Sequence, residues 1–222
     1  MARITYRTQR NYENLQKAVF DGAGPYDIPQ LEAIRPEFLY STKGFIGYNY
    51  VKTCKVPESC GVHFFVDDYQ FTRLWAQPDK YINQLQRFRV VCTPDFSTYT
   101  DYPKALQIYN HYRKHWLGAY WQMHGIEAIP TISWSDESSF EWCFDGEPVG
   151  GVVAISSVGT QADSETRRLF MAGYNEMMKC LRPSLILFSG AIPKECKGNL
   201  YEINTFSQDL KQRLKRNRKD DK

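Results

Sequence analysis

The sequence predicts an α/β fold: a mostly parallel sheet with helices on both faces, built either as an open doubly wound sheet or as a small incomplete barrel, with an irregular N-terminal region. Three observations carry this. From Gly61 onward, apolar runs of four to seven residues end in polar or small residues and lead into helical stretches, the pattern of βα units. The runs are continuous rather than alternating, as strands covered on both faces require. The chain of 222 residues is 42% apolar and 15% aromatic, which supplies a sizeable core and excludes disordered, collagen-like and low-complexity classes.

Taken in order, residues 1–61 read as an irregular extension packed on the core, with a short helix near Asn11 to Phe20 and then Gly- and Pro-punctuated segments. The core domain, 62–205, holds five expected strands: VHFFVD (62–67), FRVVCT (88–93), EAIPTIS (127–133), GVVAISS (151–157) and SLILFS (184–189). Between them lie a helical stretch over 69–87 broken at Pro78, a helix over 103–124, a short segment 138–144 and a helix over 161–181. Leu106, Tyr109, Tyr112, Trp116, Tyr120 and Met123 recur at three- and four-residue steps, as do Leu169, Phe170, Gly173, Tyr174, Met177 and Leu181, so each set reads as a core-facing stripe. Residues 206–222 form a basic tail. From Lys211 to Lys222 the net charge is +5, which leaves −2 for the rest of a chain whose total is +3.

That asymmetry makes the body nearly neutral, so nucleic acid is expected to engage only the tail, if it engages at all. No run of about 18 apolar residues occurs and the first residues carry charges, so a soluble, cytoplasmic protein without a membrane partner is expected. Six cysteines are too few for a disulfide scaffold and read as free thiols. Cys54, Cys60 and His63 form at most a partial metal set. His111 and His115 stand at i, i+4, the spacing of a helical metal pair, but no acidic residue lies between them and basic residues flank them. No metal is therefore assigned, and the cofactor is left open.

Six strings in order, FFVDDYQFTRLW, TPDFSTYTDYP, NHYRKHWLGAYW, GIEAIPTISW, ISSVGT and LRPSLILFSG, make the chain resemble domain of unknown function family 4417 over roughly residues 25 to 195. The resemblance implies a phage or mobile-element origin. It brings no activity and no catalytic residues, so the chemistry rests on the residues themselves.

In parallel α/β sheets ligands bind beyond the carboxyl ends of the strands. The residues there are Asp67 and Asp68; Asp95 and Ser97; Trp134; Ser156, Ser157, Gly159 and Thr160; and Ser189 and Gly190. Asp67, Asp68 and Asp95 are the candidate catalytic groups, through divided acid and base roles or a shared divalent ion. Asp68 and Asp101 serve equally well as helix N-caps. Ser156 to Thr160 is a turn that presents backbone N–H groups to a phosphate or simply turns the chain. Asn110 and Arg113 share a helix face and form a candidate anion clamp. Tyr69, Tyr99, Trp134 and Trp142 lie near strand ends, where a purine or sugar ring would stack. The leading reading is a site for a nucleotide or other phosphate-bearing small molecule, with carboxylate-dependent hydrolysis. The alternatives are a non-enzymatic protein that binds a host component, and nucleic-acid binding through the tail.

Overall fold

The computed structural model describes residues 18–205 and 207–211, so the expected helix near Asn11 to Phe20 and the tail from Lys211 to Lys222 fall almost wholly outside the described residues. A small antiparallel hairpin opens the fold, β1 (Gly22–Ala23) paired with β2 (Ile28–Pro29). Then come β3 (Gly44–Gly47), β4 (Cys60–His63), β5 (Val90–Cys92) and β6 (Ala128–Ile129), a four-stranded parallel sheet in chain order. A second parallel sheet joins β7 (Val152–Ser156), β8 (Leu185–Ser189) and β9 (Leu200–Ile203), again in chain order. A parallel bridge between Thr131 and Ala154 links the two, with Ala154 N donating to the Pro130 carbonyl and Ile132 N to that of Ala154, both at 2.8 Å.

The order from β3 to β9 never reverses, so of the two arrangements left open by the sequence the incomplete barrel is the one found. Its edges meet side by side: the rings of Phe45 on β3 and Tyr201 on β9 lie 6.1 Å apart, with no ladder between those strands. Inward-facing Val90, Cys92, Ile129, Val152, Ala154, Leu185 and Leu187 pack together inside, joined by Phe45 and Phe65. Ile34, Phe38 and Leu39 close the amino-terminal end, where Val152 N donates to the Ile34 carbonyl at 2.8 Å. Both sheet faces are thus buried, the inner by curvature and the outer by helices, which is why the strands read as unbroken apolar runs.

On the outer face α1 (Thr72–Ala76), α2 (Ile82–Leu85) and α3 (Lys104–Met123) bury Leu74, Trp75, Leu85, Trp116 and Trp121 against Val62, Val91 and Ala128. Helix α4 (Ser164–Leu181) buries Phe170, Tyr174, Met177 and Leu181 against Val153, Ile155, Ile186 and Phe188, the stripe expected from its spacing. Each such large side chain contributes on the order of 1.5–3 kcal/mol by leaving water.

Several local expectations change. Strand β4 ends at His63, earlier than the run 62–67, because Phe65 N donates to His63 Nδ1 and Val66 N to the Phe64 carbonyl, which turns the chain off the ladder. The first strand of the barrel lies inside the segment 1–61, where GFIG has glycines at both ends and carries no strand signal. The α3 stripe is rotated: Leu106 and Met123 are exposed, whereas Gln107, Asn110, His111, Lys114 and His115 are buried. Asp101 does not cap α3, whose N-cap is Pro103 with no side-chain bond. Cys54 and Cys60 pack on the outer core while His63 stacks on Phe65, 5.6 Å away and facing the interior, so that partial metal set does not assemble.

Candidate active site at the mouth of the barrel

Because the strands run parallel, the segments after β4, β5, β6 and β7 emerge at one end, the position that barrels of this kind use for ligands. They enclose a cleft of about 560 Å³ whose lining includes Asp67, Asp68, Asp95, Ser97, Tyr99, Tyr102, Ser133, Trp134, Ser156 and Thr160. A recess of about 80 Å³ continues behind Trp134, bounded by Asp95, Ser156, Thr160 and Phe170.

Asp95 sits on the floor of both. Burial pushes its carboxyl up to about 7, the neighbouring Asp68 adds to the rise and Lys114 opposes it. A carboxyl at that value holds or releases its proton near neutrality, as a general acid or base must. Asp68 is held in place: its Oδ2 accepts from Ser97 N at 3.1 Å and its Oδ1 from Ser97 Oγ at 3.0 Å. Asn110 Nδ2 donates to the Ser97 carbonyl at 2.6 Å, so α3 and the segment after β4 together fix the loop that carries Asp95. Asp67 is exposed at the rim, and its side chain caps no helix. The three carboxylates do not converge on one ion, since among the described residues only His111, His115 and Glu147 bring three ligand atoms within 4.8 Å of one another.

The walls are aromatic. Tyr99 and Tyr102 meet edge to face at 5.2 Å, and Tyr69 and Tyr99 stand largely in solvent. Trp134 is pinned by its indole N–H, which donates to the Leu169 carbonyl at 3.2 Å, and by Gly173, whose missing side chain leaves room for the indole. Trp142 lies elsewhere, buried edge-on to His111 at 5.5 Å.

The remaining sequence candidates divide. Ser156 and Thr160 line the cleft; Ser156 Oγ accepts from Val158 N at 3.2 Å and Thr160 Oγ1 donates to the Ser157 carbonyl at 2.9 Å. Ser157 is buried, its hydroxyl given to the Ala191 carbonyl at 2.7 Å. Gly159, at φ 82°, and Gly190, at φ 100°, serve the turns, and Gly190 packs on Ser157 and Val158. Ser189 is fully buried within the barrel end. Arg113 lies over the Phe96 ring at 3.7 Å and, like Asn110, does not line the cleft. Among the described residues no Lys or Arg is in the lining, which carries the three carboxyl side chains Asp67, Asp68 and Asp95.

Spacing and hydropathy pass over a buried polar network on the hidden face of α3. Lys114 Nζ donates to the Thr131 carbonyl at 2.7 Å and to Glu147 Oε1 at 3.0 Å, and Thr131 is tied to Thr93 by bonds of 2.8 and 2.6 Å. A signal existed: Lys and two His on one turn of a helix that also carries Trp116, Leu117 and Trp121 need partners if that turn is buried.

The domain of unknown function (DUF4417) model matches residues 20–207. Two curated relatives are the Gene 1 proteins of Mycobacterium phage L5, 36% identical over 79% of this chain and 76% of the relative, and of Mycobacterium phage D29, 35% identical over 86% and 70%. No solved structure matches. No helix among the described residues is long and apolar enough to cross a membrane.

Proposed function

Since the chain belongs to the DUF4417 family, whose description assigns no activity, the mouth itself must supply the chemistry, and we propose that it binds a nucleotide-class ligand through the nucleoside part and hydrolyses it with Asp95 as the proton-transferring group. The single observation behind this is the carboxyl of Asp95, poised at about 7 on the floor of an open aromatic cleft. The cleft volume of about 560 Å³ falls within the range of small-molecule sites, roughly 300–1,000 Å³. Tyr99, Tyr102 and Trp134 offer ring faces to a base or sugar, and Ser133, Ser156 and Thr160 offer hydroxyls to its polar edge. Protonated Asp95 gives its proton to the leaving atom as the scissile bond breaks, and a water supplies the new bond, passing its own proton to Asp67 at the rim. The charge of the lining directs a phosphate outward, or requires a divalent cation to accompany it. The open rim favours this over an interaction protein, for which a filled rim is expected.

The test is calorimetric titration with adenosine, AMP and ATP, each with and without magnesium, followed by turnover assays across pH. Binding of the nucleoside, with turnover that falls at least about 100-fold in Asp95→Asn while binding persists, is the expected result. Absence of binding by all three ligands, or undiminished turnover in Asp95→Asn, overturns the reading.

A further inference from the structure

We infer that His111, His115 and Glu147 form a site for one divalent transition-metal ion of the zinc class, buried between α3 and the turn that follows Trp142. Their ligand atoms lie within 4.8 Å of one another, and all three residues are buried. The imidazoles stand one helical turn apart, with ring centroids 4.3 Å from each other. Each turns one nitrogen to a backbone carbonyl: His111 Nε2 to Asp145 at 3.1 Å and His115 Nδ1 to Pro29 at 2.9 Å. That is the outer-shell arrangement that fixes tautomer and ring angle in ligating histidines, and it leaves Nδ1 of His111 and Nε2 of His115 to face the ion.

Glu147 completes the set. Its Oε1 receives Lys114 Nζ at 3.0 Å and lies 2.8 Å from His115 Nε2, while its Oε2 is buried with no hydrogen-bond partner among the described residues. A buried carboxylate oxygen left bare is costly, and an ion would satisfy it. Bonds to zinc run at about 2.0–2.2 Å, which puts neighbouring ligand atoms roughly 3–3.5 Å apart, so the cluster has at most about 1.3–1.8 Å to close. Without the ion, the hydrogen-bond proton between His115 Nε2 and Glu147 Oε1 holds the two atoms 2.8 Å apart. Binding releases that proton to solvent, which frees His115 Nε2 to form a nitrogen–metal bond while Glu147 Oε2 forms the oxygen–metal bond. Two nitrogen donors exclude magnesium and calcium, which take oxygen. Lys114 keeps its bonds to Glu147 Oε1 and the Thr131 carbonyl as an outer-shell partner.

None of the three ligands lines the cleft, so the site stands apart from the hydrolase reading and acts on the fold. It ties α3 to the 142–147 turn and, through Pro29, to the hairpin, connections that no strand ladder makes.

The test uses the full chain purified without a polyhistidine tag. Native mass spectrometry and elemental analysis should find one zinc ion per chain. A chelator should lower Tm, added ZnCl2 should restore it, and cobalt(II) in place of zinc should give the visible absorption of a tetrahedral nitrogen- and oxygen-ligated ion. His111→Gln should lose the ion and the chelator response together. Metal-free protein whose Tm ignores both chelator and ZnCl2 overturns the site, and so does retention of the ion by His111→Gln. If that variant does not fold, the response of the wild-type chain to chelator and zinc decides alone.

Discussion

Replacing Asp95 by Asn should stabilise the protein, and only above a definite pH. The carboxyl rises from 3.8 in the unfolded chain to about 7 in the fold, mainly through burial. Below the lower value both states hold the proton and Asp95 contributes nothing to the pH dependence. Between the two values the folded state keeps a proton that the unfolded state has lost, so stability falls as pH rises, at about 1.4 kcal/mol for each pH unit. Above the upper value the full penalty applies, about 4 kcal/mol if the group were wholly dry. Because Asp95 borders the open cleft and is not wholly shielded from solvent, we take about 2–4 kcal/mol. Asn keeps the shape and has no charge to desolvate. Urea unfolding of both proteins from about pH 4 to pH 8 should therefore show equal stability at the acid end and a gap that opens in favour of Asp95→Asn as pH rises. A constant difference across that range would refute the reasoning, since it would mean that the wild-type carboxylate ionises in the fold as it does in water.

Other substitutions test the supports of the site. Lys114→Met leaves Glu147 buried without its cationic partner and should cost about 3–5 kcal/mol by denaturant unfolding, far more than a surface ion pair such as Lys104 with Glu141. Asp163 caps α4 by accepting from Glu165 N and Thr166 N, both at 2.9 Å, so Asp163→Ala should lower Tm while Asp163→Asn leaves it nearly unchanged. Gly173→Ala places a methyl group into the Trp134 indole, and a loss of about 1–3 kcal/mol should accompany weaker binding of any ring-bearing ligand, measured by calorimetry.

What the sequence reveals and hides follows from distance along the chain. Asp67, Asp68 and Asp95 are legible as neighbours because each follows an apolar run, and parallel pairing sends all such ends to one rim. The apolar stripe of α4 is legible because Phe170, Tyr174, Met177 and Leu181 are both apolar and buried. On α3 the same rule fails: Lys114, His111 and His115 turn inward because Glu147 and the carbonyls of Pro29, Thr131 and Asp145 await them, and none of these partners is close in sequence. Hydropathy measures the cost of burying a charge and is blind to the partner that offsets it. Strand β3 escapes notice for a different reason, since four residues framed by glycine are too short to show a period.

The meeting of Phe45 and Tyr201 makes this barrel a split ring rather than a hoop. A fully hydrogen-bonded barrel has its girth set by strand number and stagger, and an interior residue of the wrong size is felt as strain around the whole circumference. Here no ladder joins the two edges, where the rings of Phe45 and Tyr201 face each other, so the girth is adjustable. A larger residue inside, Leu187→Phe for instance, can be accommodated by a slight parting at the seam, while a smaller one lets the seam draw in. The edge amides of β3 and β9 are then the first of the sheet to exchange with solvent.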